Sequence, residues 1–235
     1  MRYSILIIIA AFMVMPIVFG QRRGRREPLK VIQLSEPERS GKISLEETLA
    51  KRRSVRNFKN DKLTNKQLSQ LAWAGQGITQ EATGFRTAPS AGAIYPMKLY
   101  FATEEGLFVY DPKEHALRQV VREDVRGDLS KAALGQASVA SAGCDIIIAG
   151  SARELAAKYR NKARDFALLE AGHIAQNILL QVTAMDLGAV PVGAFNTKHI
   201  RRICQFSPNM EPFYIIPVGQ PVKENKQPEN TDETK

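Results

Sequence analysis

The sequence predicts an α+β protein in which helices flank one central β-sheet. Helical and strand patterns alternate along the chain. The apolar run CDIIIAG at 144–150 is typical of an interior strand. Residues 165–187 carry apolar side chains around nearly the whole circumference of a helix, as expected of a central helix covered on all sides. With 235 residues, 44% of them hydrophobic, the chain can bury one substantial core, and a single domain is expected.

The N-terminus predicts a secretory signal peptide over residues 1–20. One arginine precedes an apolar run from Ile5 to Phe19, and Gly20 is small enough for cleavage before Gln21. The run is about five residues shorter than the ~20 that span a bilayer, so an uncleaved membrane anchor at 5–19 is the alternative. The signal predicts export to the periplasm, although the arginines directly after it oppose export under the positive-inside tendency.

The remaining chain divides into three predicted parts. Residues 21–43 are expected to form a linker, residues 44–220 the domain, and residues 221–235 a disordered polar tail. Part of the net charge of +9 lies in four arginines at 22–26. Because no aromatic residue is interleaved with them, nucleic acid is not an expected partner.

Several common site types lack the residues they need. The chain has two cysteines, Cys144 and Cys204, too few for a disulfide framework or a metal cage. Both are expected to be small buried residues, with a lone disulfide as the alternative. Its three histidines are too scattered for a zinc site, so no metal is expected. Neither a Gly-x-Ser-x-Gly motif nor a Walker phosphate loop occurs.

The predicted central helix has one polar seam and leads into a glycine loop. The seam residues are three or four apart and share one face: Glu170, His173, Asn177 and Gln181. Gly188 is expected to end the helix after Leu187. In the strand end AVPVGAF that follows, Gly193 and Ala194 would leave the backbone open to close approach by a flat ligand.

A basic cluster lies at the end of the first predicted helix, which spans residues 44–51. Ser44 and Glu47 have the spacing of a capping box at its start. The C-terminal end of this helix carries the sequence KRRSVRNF, in which four basic residues surround Ser54: Lys51, Arg52, Arg53 and Arg56. Guanidinium groups with a hydroxyl suit a phosphate, because arginine pairs two donors with two oxygens. An ordinary solvated charged face is the alternative.

The next segments predict a helix, a turn and a hairpin. The helix begins after Thr64 and directs Leu68, Leu71, Ala72 and Ile78 inward. RTAPSAGAIYP at 86–96 sets small residues between two prolines, which predicts a rigid turn beside a ligand or an ordinary structural loop. Residues 97–121 read as a strand and a hairpin, and 121–134 as a helix.

Five segments, taken in order, resemble the nitroreductase superfamily. They are RRSVRNF, APSAGAIYP, KY ahead of LLEAGHIAQN, LGAVPVGAF and a closing IPVG, and together they span about Leu45 to Gly219. The resemblance is to the branch of SagB-type FMN-dependent dehydrogenases that includes the azoline oxidases of peptide-toxin maturation. It implies a nitroreductase-like fold with a mixed central sheet flanked by helices. It also implies an intertwined homodimer with FMN at the subunit interface and the long helix packed in that interface.

The resemblance also implies which residues bind the cofactor. Four residues of the first motif would hold the FMN phosphate and ribityl chain: Arg52, Arg53, Ser54 and Arg56. Four residues of the second motif would lie along the flavin: Ser90, Ala91, Gly92 and Tyr95. The backbone N–H of Gly193 would point at flavin N5, and its neighbours would shape that wall: Pro191, Val192 and Ala194.

Lys158 and Tyr159 match a Lys-Tyr pair proposed to be catalytic in azoline oxidases. Oxidation at carbon removes a proton while a hydride leaves, and an amine or a phenolate can take that proton. A surface lysine beside a packing tyrosine is the alternative. Arg160 stands where relatives commonly carry glycine, and Asp165 with Phe166 replaces an Arg-Tyr pair, which puts the substrate in question.

The expected function is therefore an FMN-dependent oxidoreductase that passes hydride through flavin N5. Its substrate would be a small molecule or a modified peptide, and its electron partner a quinone, a redox protein, oxygen or NAD(P)H. One alternative is an NAD(P)H-dependent nitro or quinone reductase. The other is a flavin-binding module without turnover.

Overall fold

A computed structural model of the chain describes residues 29–222. The predicted signal peptide or anchor, the arginines at 22–26 and residues 223–235 lie outside this range, so those predictions are untested. Within residues 29–222, no helix is both long enough and apolar enough to cross a membrane.

The strands of residues 29–222 are β1 (Val31–Gln33), β2 (Phe58–Lys59), β3 (Ile78–Gln80), β4 (Phe85–Arg86), β5 (Met97–Thr103), β6 (Gly106–Asp111), β7 (Ala116–Val121), β8 (Cys144–Gly150), β9 (Gly188–Ala189) and β10 (Glu211–Pro221). The core of the fold is an eight-stranded antiparallel sheet with the order β1-β7-β6-β5-β8-β10-β2, in which β9 pairs with β10. A separate two-stranded sheet joins β3 and β4.

Every ladder in the described sheets is antiparallel. The one parallel pairing in this part of the chain is an isolated bridge between Ser54 and Ala189. The resemblance implied a sheet with both parallel and antiparallel pairs, and the parallel component found here is limited to that bridge. β8 lies at the centre, paired with β5 and β10, and all seven of its residues are buried.

Helices cover both faces of this sheet. They are α1 (Leu45–Lys51), α2 (Asn65–Gln76), α3 (Arg126–Ala132), α4 (Ala137–Ser141), α5 (Arg153–Tyr159), α6 (Ala163–Ala184) and α7 (Thr197–Ile203). Two apolar clusters result: α2, α5 and α6 pack on one face, and α3, α4 and α7 on the other. The predicted α+β class with one central sheet is confirmed.

Side chains cap the first two helices as the sequence predicts. The Ser44 hydroxyl accepts the Glu47 N–H at 3.0 Å. The Glu47 side chain pairs with Lys51 instead of completing a capping box. Thr64 and Gln67 form a full capping box at the start of α2, which removes two unsatisfied N–H groups there.

The long helix α6 is covered on one side only. Ala171, Ile174 and Ile178 are fully or almost fully buried against the sheet. Leu168 and Leu169, however, expose 45% and 57% of their surface. The prediction that this helix is covered on all sides is wrong for the single chain, because its apolar residues also occupy the face that points away from the sheet.

Two predicted helix ends were also wrong. α6 ends at Ala184 and Asp186 adopts the left-handed conformation, with φ 54°. Gly188 instead lies in β9, where a Cβ atom would come within 2.8 Å of Val55 Cγ1, so glycine lets the Val55 side chain pack directly against the β9 backbone. α2 ends at Gln76, and Ile78 therefore belongs to β3. The predicted helix at 121–134 is helical only in α3.

The segment predicted as a linker contributes to the fold. β1 pairs antiparallel with β7, and Leu34 is 5% exposed within the core. Gln70 of α2 exchanges hydrogen bonds with the backbone of Glu38, at 2.8 and 2.9 Å. Residues 31–38 therefore belong to the folded unit, although they precede residue 44, the predicted start of the domain. Cys144 and Cys204 are buried and unpaired.

Candidate functional site

The first group of predicted site residues, the arginine segment at 52–56, leaves α1 and runs beside β9. The Val55 N–H donates to the Ala189 carbonyl at 2.9 Å, and Ser54 forms its parallel bridge with the same residue. This pairing holds the arginine segment next to the loop that follows β9. The sequence places these two motifs over 130 residues apart, and the sheet brings them together.

The side chains of the arginine segment differ in whether they form hydrogen bonds within the chain. Arg53 donates to the carbonyls of Ala50 and Arg52, at 2.9 and 2.8 Å, and so closes the end of α1. Ser54 and Arg56 are exposed and Arg52 is half-buried. Within residues 29–222, no hydrogen bond or ion pair engages the guanidinium of Arg52 or Arg56. These two arginines, with the Ser54 hydroxyl, remain available for an anionic group.

The loop at 190–194 is fixed at one residue and open at the next. Val192 is buried and exchanges backbone hydrogen bonds with Ile215 of β10, at 2.8 and 3.0 Å. Pro191 is half-buried, whereas Gly193 and Ala194 are exposed. A Cβ on Gly193 would meet nothing within 4 Å, and no group in the described chain accepts its N–H. The loop therefore presents a free backbone donor on a rigid support.

The second group is the 90–95 turn, whose backbone is strained. Its 3₁₀ helix spans Ala91–Ala93, and three residues have a positive φ: Gly92 at 63°, Ala93 at 54° and Tyr95 at 55°. Two of them are not glycine, so surrounding contacts must hold the turn in place. The Ser90 hydroxyl accepts the Tyr95 N–H at 2.9 Å. Ser90 Oγ also lies 2.5 Å from Glu170 Oε2 on α6.

Tyr95 is locked by Arg86, which precedes the turn. The Arg86 N–H donates to the Tyr95 hydroxyl at 3.2 Å, and the Arg86 guanidinium lies 4.6 Å from the Tyr95 ring centroid. The predicted cofactor contact at Tyr95 thus has a structural use within the chain.

Lys158 and Tyr159, at the end of α5, converge on Gly92 of the 90–95 turn. A Cβ built on Gly92 would lie 2.8 Å from both Lys158 Nζ and the Tyr159 hydroxyl. The Tyr159 ring packs against Phe166 with centroids 4.7 Å apart and the planes at 66°. Gly92 and Lys158 are exposed. An amine and a phenol therefore stand side by side at a surface glycine, a geometry suited to moving a proton.

Sequence reasoning missed the buried network behind the 90–95 turn. Glu170 is 1% exposed, and burial raises its carboxyl pKa against the opposing effects of Ser90, Met97, Gln76 and Arg86. Arg86 Nη1 donates to Gln76 Oε1 at 2.6 Å, and burial lowers the Arg86 pKa. Three buried atoms here lack a hydrogen-bond partner: Glu170 Oε1, Gln76 Nε2 and Arg86 Nε. Gln76 is close enough to lower the Glu170 pKa without forming an aligned hydrogen bond.

The polar seam of α6 was the available signal for this network, but its members have separate uses. Asn177 donates to the Thr87 carbonyl at 3.2 Å, and Gln181 accepts from Gln70 at 3.2 Å. His173 is exposed. Only Glu170 reaches the 90–95 turn.

The two groups of predicted site residues remain separate within one chain. No hydrogen bond or ion pair between described residues joins the arginine segment and the 190–194 loop to the 90–95 turn and the Lys-Tyr pair. A groove of about 740 Å³ lies elsewhere, between residues 38–48, α2 and the second half of α6, and no predicted site residue lines it. The described residues contain no group of three or more His, Cys, Asp or Glu placed to hold a metal.

Comparison with known proteins identifies the family. A sequence model of the nitroreductase family matches residues 49–220. This chain belongs to the nitroreductase family. It is therefore an oxidoreductase of that family, and its matched region includes every predicted site residue.

Individual relatives agree with this family assignment. A candidate nitroreductase of Methanocaldococcus jannaschii is 37% identical over 198 residues, which cover 82% of this chain and 97% of that protein. The crystal structure of a candidate nitroreductase from Ralstonia eutropha JMP134 has a TM-score of 0.76 at 31% identity, covering 83% of this chain and 90% of that one. The NADPH:FMN oxidoreductase of Vibrio harveyi, solved with NAD⁺, shares the fold, with a TM-score of 0.58 at 19% identity over 76% and 69% of the chains.

Proposed function

We propose that this protein is an FMN-dependent oxidoreductase in which Lys158 and Tyr159 handle the proton that accompanies hydride transfer. The observation that carries the proposal is the convergence of both side chains on Gly92, an exposed position at which only a residue without a side chain fits. Oxidation at carbon needs a group close to the reacting atom that can take up the proton, and a lysine or a tyrosine can serve.

The chain's own residues fit the chemistry of FMN. Arg52 and Arg56 offer guanidinium groups that no residue of 29–222 occupies, and Ser54 adds an exposed hydroxyl, which together suit a phosphate. Gly193 offers a free N–H from a loop held by Val192. When bound, FMN would supply reversible hydride transfer at its N5 atom.

The protein groups would then divide the work. Arg52, Ser54 and Arg56 would bind the phosphate and fix the position of the cofactor. The Gly193 N–H would donate a hydrogen bond where charge changes during the reaction. Lys158 and Tyr159 would hold or accept a proton beside Gly92.

A second copy of the chain would complete the site. The two groups of residues are not joined within one chain, and the exposed face of α6 carries Leu168 and Leu169, 45% and 57% exposed. A second subunit packed on this face would remove both leucines from water. We therefore propose a homodimer in which the arginine segment of one subunit and the 90–95 turn of the other share a cofactor.

The branch and the substrate are proposed from the sequence resemblance, and the location from the predicted signal peptide at residues 1–20. We propose a SagB-type dehydrogenase that acts on a small molecule or a modified peptide and is exported to the periplasm. Nicotinamide nucleotides are scarce outside the cytoplasm, so an exported enzyme would use a quinone, a redox protein or oxygen. NAD(P)H becomes the expected donor if the domain faces the cytoplasm.

The proposal is tested on the full chain purified from its native cell envelope. Its visible absorption spectrum is expected to show bound flavin, and N-terminal sequencing of the same sample is expected to begin near Gln21. A colourless protein that also fails to take up added FMN would overturn the oxidoreductase proposal. A protein that binds FMN stoichiometrically, but whose flavin absorbance no electron donor changes, would be a binding module without turnover.

A further inference from the structure

Glu170 and Ser90 form a hydrogen-bonded pair directly behind the proposed flavin site. Glu170 Oε2 lies 2.5 Å from Ser90 Oγ, which in turn accepts the Tyr95 N–H at 2.9 Å. Glu170 is 1% exposed, so this pair exchanges little with solvent. The Ser90 side chain therefore connects the interior of the protein to the surface of the 90–95 turn.

A hydroxyl has one hydrogen to donate and two lone pairs to accept with. A carboxylate cannot donate a hydrogen bond. When Glu170 is ionised, the Ser90 hydroxyl must therefore donate to Glu170 Oε2. When Glu170 is a carboxylic acid, its own O–H can donate to Ser90 Oγ. The Tyr95 N–H and the acid then occupy both lone pairs, and the Ser90 hydrogen is released to point elsewhere.

The surroundings of Glu170 make both forms accessible. Burial favours the neutral acid and raises the carboxyl pKa. The charge of Arg86 in β4 favours the carboxylate. Gln76 of α2, the Met97 backbone of β5 and the Ser90 hydroxyl also favour the carboxylate, and Tyr95 faces Arg86. Lys158 and Tyr159 of α5 lie against Gly92, two residues after Ser90.

We propose that Glu170 is a positioning residue whose proton decides where the Ser90 hydroxyl points. As a carboxylate it draws the hydroxyl back towards α6. As an acid it releases the hydroxyl to donate to the ligand held by the 90–95 turn. This inference rests on the proposed function, because it takes that ligand to be FMN.

The test measures the affinity for FMN across pH, by quenching of flavin fluorescence, in four full-length proteins. They are the wild type, E170Q, S90A and the control E154Q, which removes an exposed carboxyl from α5. In the wild type and in E154Q, lowering the pH through the Glu170 titration is expected to tighten binding by about 2-fold to 10-fold beyond the change in E170Q. S90A is expected to lose this extra tightening, because no hydroxyl remains to be released.

A second measurement follows the proton itself, without flavin. Infrared difference spectra of the apo-protein, wild type minus E170Q, are expected to show a protonated carboxyl band at pH values above the usual pKa of glutamate. This band is expected to shift in S90A. A band that S90A leaves unmoved, or no difference between the wild type and E170Q, would overturn the inference. An E170Q affinity profile identical to that of the wild type would do the same.

These outcomes separate the inference from the proposed function. A wild-type protein that does not bind FMN at any pH refutes the proposed function. FMN binding with the same pH dependence in all four proteins leaves that function standing and refutes the role of Glu170. If E170Q proves unfolded by circular dichroism, S90A carries both measurements, since its hydroxyl is the group the proposal releases.

Discussion

Gly92 faces Tyr159 so closely that a Cβ at Gly92 would lie 2.8 Å from the Tyr159 hydroxyl oxygen. Lys158 Nζ would lie at the same distance from that Cβ. Real Cβ atoms do not approach other atoms so closely, and φ at this glycine is 63°. The 90–95 turn and the Lys-Tyr pair therefore form one unit, in which a side chain at residue 92 would displace the two groups proposed to move a proton.

The variant G92A tests this unit. It is expected to push Lys158 and Tyr159 away and to lower the free energy of unfolding by about 1 kcal/mol, because alanine is strained at a positive φ. The control is G127A in α3, where a Cβ would meet nothing within 4 Å. There alanine is expected to raise stability by about 0.5–1 kcal/mol. Thermal unfolding measures both, and a G92A protein as stable as G127A would contradict the structure.

The sequence predicts best those features that depend on local pattern. Ser44 caps α1 and Thr64 caps α2 as expected, since a cap needs only neighbours three residues away. The motifs of the candidate site were also found as strings of residues. Their grouping into two halves was not, because it depends on β9 pairing with Ser54 and on α5 meeting the 90–95 turn.

Features that depend on distant contacts were missed or assigned wrongly. Gly188 looked like a helix end, but its lack of a side chain serves contact with Val55, more than 130 positions away. Composition alone could not separate Leu168 and Leu169 from the buried residues of α6, because all of them are apolar. The role of Glu170 required knowing that Ser90 lies opposite it. In each case the missing fact is which other segment faces the residue.

Charge reversal at Arg56 tests the proposed phosphate site. R56E is expected to abolish retention of FMN while leaving the fold intact, because Arg56 is exposed and makes no hydrogen bond or ion pair with the described residues. Flavin absorbance relative to protein absorbance measures retention. K113E applies the same change of charge to an exposed lysine on the β6–β7 turn and should keep its flavin. Normal flavin content in R56E would remove Arg56 from the site.

Lys158 is expected to be needed for turnover and not for cofactor binding. K158A should retain FMN, yet reoxidation of its reduced flavin by the probe quinone menadione should slow by about 10²-fold or more, as when a general acid is lost. Stopped-flow absorbance measures this rate. K162A is the control, because Lys162 is a surface residue of the next turn that pairs with Asp165 at 3.2 Å. Equal rates in K158A and K162A would exclude a role for Lys158 in this step.

The proposed dimer predicts that the exposed leucines of α6 link assembly to cofactor binding. L169D is expected to convert the protein to monomers and to release flavin in the same preparation, because each proposed site draws on two subunits. L134D places the same substitution at a leucine that is 74% exposed, on the opposite side of the sheet from α6. It should leave both properties unchanged. Light scattering gives the mass, and a monomeric L169D that keeps stoichiometric FMN would refute a shared site.

Asp145 is expected to destabilise the protein at neutral pH. It is fully buried in β8, and neither carboxyl oxygen has a hydrogen-bond partner. Burial raises its pKa well above the usual range, although Arg126 opposes this. The folded chain therefore holds a proton that the unfolded chain has released above a pH of about 4. The free energy of unfolding must therefore fall as the pH rises from about 4 towards the raised pKa of the folded state, because the unfolded state binds fewer protons there.

D145N removes this titration and should raise the free energy of unfolding by about 1–3 kcal/mol at neutral pH. The gain should vanish as the pH falls to about 4, where the wild-type carboxyl is neutral in both states. Asp111 is the opposite case. Burial raises the Asp111 pKa, but Arg118 and two backbone N–H groups outweigh burial and hold the pKa low. D111N should therefore lower the free energy of unfolding at neutral pH, and this difference from the wild type should disappear in acid. Urea unfolding at several pH values measures both, and parallel pH profiles for the wild type and D145N would show that Asp145 is ionised in both states.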